Sequence, residues 1–168
     1  MQKVIKASLG ISFFIYLLAL VVILFLGSSR GYVHTDLSLF EYIKNSSNIV
    51  PFKTISTYIK AIFDGSMNMD IPIKNIFGNL ILFLPMGVYL PFFKQNFTKV
   101  SVFSISMILL LFVIEIVQLV TKRGRFDIDD FILNILGAFI GFGIWKLKVI
   151  EKYLNKTSNY NSTNDAGD

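Results

Sequence analysis

Four long apolar runs punctuate the chain: Ala7 to Leu26, Asn75 to Phe93, Val100 to Val120 and Ile128 to Trp145. Each is close to the roughly 20 mostly apolar residues that cross a bilayer core at ~1.5 Å of helical rise per residue. The pattern predicts an all-α membrane protein, a bundle of four transmembrane helices. Lys3 and Lys6 precede the first run in the manner of a signal peptide. That run exceeds the usual apolar length and no A-x-A site follows, so an uncleaved anchor is expected. In the first loop, Phe52, Ile55, Ile59, Ile62 and Phe63 recur at helical spacing, with Lys53, Ser56, Thr57 and Lys60 opposite and Gly65 placed to stop the helix. An interfacial amphipathic helix lying flat on the membrane and capping the bundle is the expectation there. Pro85 and Pro91 predict a kinked second span. Residues 1–150 form the expected membrane domain, and the Asn/Ser/Thr-rich stretch Asn155 to Asp168 a disordered tail.

Composition agrees with this class. Apolar residues make up 54% of the chain, aromatics 15%, and the mean hydropathy is +0.62, well above a soluble norm of about 45 to 50% apolar. The net charge of +5 is spread over loops and ends without a basic helix, which suits an anionic lipid surface and excludes nucleic-acid binding. With no cysteine and a lone histidine, His34, neither a thiolate nor a histidine metal site can form, and no cofactor is expected. His34 reads as an exposed loop residue.

Polar positions inside the apolar runs carry the functional information. Antiparallel connection brings the start of span two, the end of span three and the start of span four to one membrane face. Asn79, Glu115 and Asn134 then share a depth of roughly 5 to 10 Å below it. Glu115 and Gln118 are three apart, and Asp127, Asp130, Asn134, Gly137 and Gly141 step by three or four down one helix stripe. Asp129 is rotated about 100° off that stripe and is expected to meet water or headgroups. An ionised carboxylate in hydrocarbon costs several kcal/mol, so Glu115 needs a partner, a proton or a wet cavity. Arg125, with its planar fork, is the expected partner. Gly137 and Gly141 should admit a neighbouring helix backbone, with dimerisation as a lesser use. The bland alternative is that all these polar groups only glue helices together.

Three strings together carry a family resemblance. Asn79, Leu80, Ile81, Leu82, Phe83, Leu84, Pro85, Met86, Gly87 resembles the N-x-x-x-F-x-P-x-G signature of VanZ-like membrane proteins. Glu115 to Gly141, read as E-x-x-Q, G-R-F-D-I-D-D and N-x-x-G-x-x-x-G, resembles that family's second signature, and Asn48 to Phe52 is similar to its N-L-x-P-F element. The resemblance implies a small multi-pass protein of the bacterial cytoplasmic membrane, associated with resistance to lipid-tailed, teicoplanin-type glycopeptide antibiotics. It matches Asn79, Pro85, Gly87, Glu115, Gln118, Arg125, Asp127, Asp130, Asn134, Gly137 and Gly141 to the family's motifs.

Two readings follow. In the first, an outer-leaflet polar site built from Asn79, Glu115, Gln118, Arg125, Asp127, Asp130 and Asn134 binds a membrane lipid or lipid-linked envelope molecule. In the second, the protein is a membrane-embedded enzyme on a lipid-linked or phosphorylated envelope substrate. Glu115 would be its general base, Asp127 and Asp130 would hold a divalent ion, and Arg125 would stabilise developing charge. A transporter is a thinner option, since four spans are few and no inverted repeat is evident. The N-terminal lysines and the Lys-rich C-terminal segment favour both termini in the cytoplasm.

Overall fold

The computed structural model describes residues 2–26 and 37–147. His34 and the polar tail from Asn155 to Asp168 lie outside them. The helix α1 (Gln2–Val21) runs into a π turn, Val22–Leu26. It is followed by α2 (Leu39–Asn45), β1 (Ser47–Asn48), α3 (Lys53–Asp64), α4 (Asp70–Leu82), α5 (Leu84–Phe93), a 3₁₀ turn (Gln95–Thr98), α6 (Val100–Val120), β2 (Phe126–Asp127) and α7 (Ile128–Lys146). Among the described residues four helical segments are long and apolar enough to cross a membrane: Lys3–Leu26, Asp70–Phe93, Val100–Val120 and Ile128–Lys146. The expected four-helix membrane bundle is the observed fold.

The outer faces of these helices explain why they need lipid. Ile11, Phe14, Ile15, Ile105, Leu109 and Val113 are all more than half exposed. In water such a continuous apolar surface would drive association, whereas in a bilayer it meets its own kind. The inward faces pack Leu20, Leu24, Phe83, Met86, Phe103, Met107, Leu111, Ala138 and Phe142 into one core. Phe103 stacks on Phe142 with ring centroids 4.5 Å apart.

The second span is two helices, with Phe83 at the joint (φ −102°, ψ 0°) and Pro85 in the first turn of α5. Proline has no N–H to donate and its ring crowds the preceding turn, so the helical ladder cannot pass through it. One carbonyl left near the break is met from outside the helix, because Tyr16 Oη on α1 donates to Leu82 O at 2.8 Å. Ser12 Oγ lies 2.9 Å from Tyr89 Oη one level further along, which fixes α1 antiparallel to α4 and α5.

Helix α7 is the centre of the bundle and packs on α4, α5 and α6. Small residues make that possible. A Cβ on Gly137 would strike the Leu80 carbonyl oxygen, one on Gly141 the Leu84 carbonyl oxygen, and one on Gly87 the Ala138 carbonyl oxygen. The close backbone approach expected of Gly137 and Gly141 therefore occurs within the chain.

Residues 37–69 fold as a platform over the end of the bundle where α1 and α6 finish and α4 and α7 begin. The α2 helix is an addition to the expected elements. It starts at a capping box in which Glu41 N donates to Ser38 Oγ and Ser38 N donates to Glu41 Oε2, the S-x-x-E signature of a helix start. The Ser38 hydroxyl also donates to Glu41 Oε2 at 2.7 Å, and this bond, with that of the Ser38 N–H, holds the Glu41 carboxyl below its ordinary pKa. The α3 helix ends at Gly65 in the left-handed conformation (φ +66°), whose N–H donates to Ala61 O at 3.1 Å. Its apolar face is divided. Ala61 is buried and Ile55 and Ile62 are half-buried, while Phe52, Ile59 and Phe63 stay exposed.

Candidate functional site

The intramembrane polar residues are buried in the bundle interior. Asn79 on α4, Glu115 and Gln118 on α6 and Asn134 on α7 are each no more than 4% exposed. Asn79 Nδ2 donates to Asp130 Oδ1 at 2.5 Å, tying α4 to the first turn of α7. Gln118 Nε2 donates to Leu24 O at 2.8 Å and Arg123 Nη1 to Phe25 O at 3.4 Å. Both bonds fall on carbonyls of the π turn that closes α1, whose last C=O groups have no partner within their own helix. Gln118 is thus committed to helix capping. Asn134 Oδ1 is buried with no hydrogen-bond partner among the described residues.

Arg125 does not join Glu115. It is exposed, on the wall of a groove in the platform, while Glu115 is buried in the bundle. The turn between α6 and α7 explains the displacement. Lys122 takes the left-handed conformation (φ 53°) and its Nζ donates to Leu37 O at 2.8 Å. The buried Tyr42 Oη donates to Gly124 O at 2.9 Å. From there β2 pairs in parallel with β1, Ser47 against Phe126 and Asn48 against Asp127, and Phe126 N donates to Ser46 O at 3.0 Å. The pairing carries Arg125 onto the platform and away from the bundle interior.

Asp129 also differs from expectation, because it is fully buried. It accepts three backbone N–H groups at the start of α3: Phe52 N to Oδ1 at 2.5 Å, and Thr54 N and Ile55 N to Oδ2 at 2.7 and 3.0 Å. Its side chain does point off the Asp130–Asn134 stripe, but the platform covers it in place of water. A carboxylate at a helix N-terminus meets unsatisfied N–H groups and the positive end of the helix dipole. The arrangement accommodates Phe52 in the left-handed conformation (φ 64°), a cost of about 1–2 kcal/mol for a residue with a Cβ.

Asp127 works beside it. Its side chain caps α7 by accepting Asp129 N at 3.0 Å, and it also accepts Asn48 Nδ2 at 3.1 Å and Thr54 Oγ1 at 2.7 Å. Asp127 and Asp129 together latch the Asn48–Phe52 string to the α6–α7 turn. Asn48, Thr54 and Asp129 are the contributors that sequence reasoning missed. A signal was present, since two motifs far apart in sequence supply complementary donors and carboxylates.

Over this latch lies an open groove of about 400 Å³, lined by Asn48, Lys53, Thr54, Tyr58, Arg125 and Asp127 among others. The predicted site residues thus divide in two. Asn79, Glu115, Gln118, Asp130 and Asn134 belong to the bundle, whereas Arg125 and Asp127 belong to the groove. Asp127 is held by Asn48, Thr54 and Asp129, and Asp130 by Asn79. Among the described residues no three His, Cys, Asp or Glu side chains gather as metal ligands would.

Comparison with known proteins agrees with the motifs. The chain is 28% identical to Protein VanZ of Enterococcus faecium over 123 residues, 71% of this chain and 63% of that protein. It therefore matches less than two thirds of that relative's length. No solved structure matches. The model of the VanZ/LLP1 family matches residues 13–149. A match over that much of the chain, together with four apolar spans, shows a multi-pass membrane protein that belongs to the VanZ/LLP1 family.

Proposed function

We propose that this protein acts at the outer face of the bacterial cytoplasmic membrane, where the platform groove holds the polar head of an amphiphile. Its physiological output is protection against lipid-tailed glycopeptide antibiotics, with a lipid-linked envelope molecule or the membrane-anchored antibiotic as the bound species. The observation that carries this reading is the groove itself, open at the platform end of the bundle and containing Arg125 and Asp127. Lys3, Lys6, Lys94, Lys99 and Lys146 lie at helix ends away from the platform, while Lys44, Lys53, Lys60, Lys74, Lys122, Arg123 and Arg125 lie at the platform end, so the outward orientation rests on the terminal lysines weighing more than charges spread through a long loop.

The buried cluster supports the groove in this reading. Asn79 with Asp130 ties α4 to α7, and Gln118 with Leu24 ties α6 to the end of α1. The enzyme reading has less behind it, because the carboxylates it needs are divided between the bundle and the latch. The test is glycopeptide susceptibility in a susceptible Gram-positive host at matched membrane levels of each variant. Arg125→Ala is expected to remove the protection given by the parent protein, and Glu115→Gln to reduce it. Unchanged protection in both variants overturns the proposal.

A further inference from the structure

We infer that the platform groove recognises a phosphate-bearing amphiphile, with Lys53 and Arg125 meeting the anion and Ile49, Val50 and Phe52 meeting the apolar tail. The inference rests on the groove reading given above and names its ligand class.

The hydrogen bonds already made within the groove carry the argument. Asp127 is its acidic residue, and both carboxylate oxygens already accept bonds from Asn48, Thr54 and Asp129. The Thr54 hydroxyl hydrogen is committed to Asp127, that of Ser47 to Ile43 O at 2.7 Å, and that of Thr57 to Lys53 O at 2.8 Å. Asn48 Nδ2 is shared between Thr54 and Asp127. A cationic ligand would find the carboxylate already engaged.

The cations are in the opposite condition. Lys53 and Arg125 line the groove and are exposed. Neither side chain makes an ion pair among the described residues. Two uncompensated cations flanking an internally satisfied carboxylate select for negative charge. A planar guanidinium fork and a mobile ammonium suit an anion with several oxygens, as a phosphate has.

The neighbouring surface supplies the second half. Ile49 is 73% exposed, Val50 55% and Phe52 62%, directly between the groove residues Asn48 and Lys53. In a membrane protein an apolar shelf continuous with a cationic groove meets acyl chains while the groove meets headgroups.

The experiment is a calorimetric titration of the purified full chain in non-ionic detergent with short-chain phosphatidic acid, the matching diacylglycerol and inorganic phosphate. Phosphatidic acid is expected to bind best, with the other two each at least about tenfold weaker, the scale of losing one strong contact. The double variant Lys53→Gln with Arg125→Gln is expected to lose that preference. Lys99→Gln with Lys146→Gln, at the opposite end of the bundle, is expected to keep it. Equal binding of phosphatidic acid and diacylglycerol overturns the role of the anion, and equal binding of inorganic phosphate overturns the role of the tail. An unaltered preference in the groove double variant overturns the assignment to Lys53 and Arg125. If that variant loses antibiotic protection while the parent shows no preference, the phosphate inference falls and the groove's protective role stands. If the variant loses the preference and keeps full protection, phosphate recognition stands and the protective role falls.

Discussion

Asp129 Oδ2 accepts the backbone N–H of Thr54 at 2.7 Å, across 75 residues of sequence, and so fastens the start of α3 to the start of α7. With Phe52 N and Ile55 N on the same carboxylate, one buried side chain holds the platform to the bundle. Replacing Asp129 by Ala leaves three partly buried N–H groups without their acceptor, at up to ~1–3 kcal/mol each. Asp129→Ala is expected to lower stability by about 3 kcal/mol or more. Limited proteolysis should then cut within residues 37–69 before the spans are touched. Unchanged protease resistance of that segment would show that the latch is not what holds it.

The glycines of α7 differ sharply in the room around them. Gly137→Ala and Gly141→Ala each drive a methyl group into a backbone carbonyl of the second span, and backbone cannot give way as a side chain can. Both variants should aggregate or elute early in size-exclusion chromatography of the solubilised protein. Gly143, with nothing within 4 Å of a Cβ, makes the control. Gly143→Ala should elute as the parent does and gain up to ~1 kcal/mol from helix propensity.

The buried Asn79–Asp130 pair depends on one member being an amide. Asn79→Asp would set a second carboxylate within hydrogen-bond distance of Asp130 inside the bundle, where like charges repel strongly. Thermal unfolding should show a marked loss of stability for that variant. Adding Asp130→Asn restores an amide–carboxylate pair with its polarity reversed and should recover most of the loss. Additive destabilisation in the double variant would mean that the two side chains do not act as a pair.

Tyr16 offers a smaller test at the proline break. Tyr16→Phe removes only the hydroxyl that meets Leu82 O, so a decrease of about 1 kcal/mol is expected by thermal unfolding. Gln118→Leu, which deprives the buried Leu24 carbonyl of its donor, should cost more.

The spans were legible because lipid imposes a simple rule, apolar side chains outside and polar ones within, and Asn79, Glu115 and Asn134 all turn inward. Gly137 and Gly141 were legible for the same reason, since spacing alone puts them on one stripe. The platform was harder. Asp129 is buried by a segment that arrives from 75 residues upstream, and helix periodicity reports only which way a side chain points, not what folds over it. Sequence nearness puts Arg125 beside Glu115, while the β1–β2 pairing that carries it away spans only two residues on each strand, too short to show as alternation. The α2 helix, at 7 residues, is announced by its Ser38–Glu41 box and not by amphipathic rhythm.

The proposed function turns on a groove that opens to the outside of the cell, and the chain's lack of cysteine makes that directly measurable. Single cysteines at Lys53 on the groove wall and at Lys99 at the opposite end of the bundle can be probed in intact protoplasts with a membrane-impermeant maleimide. Lys53→Cys is predicted to label without lysis and Lys99→Cys only after it. The reverse pattern would place the groove in the cytoplasm and contradict the proposal.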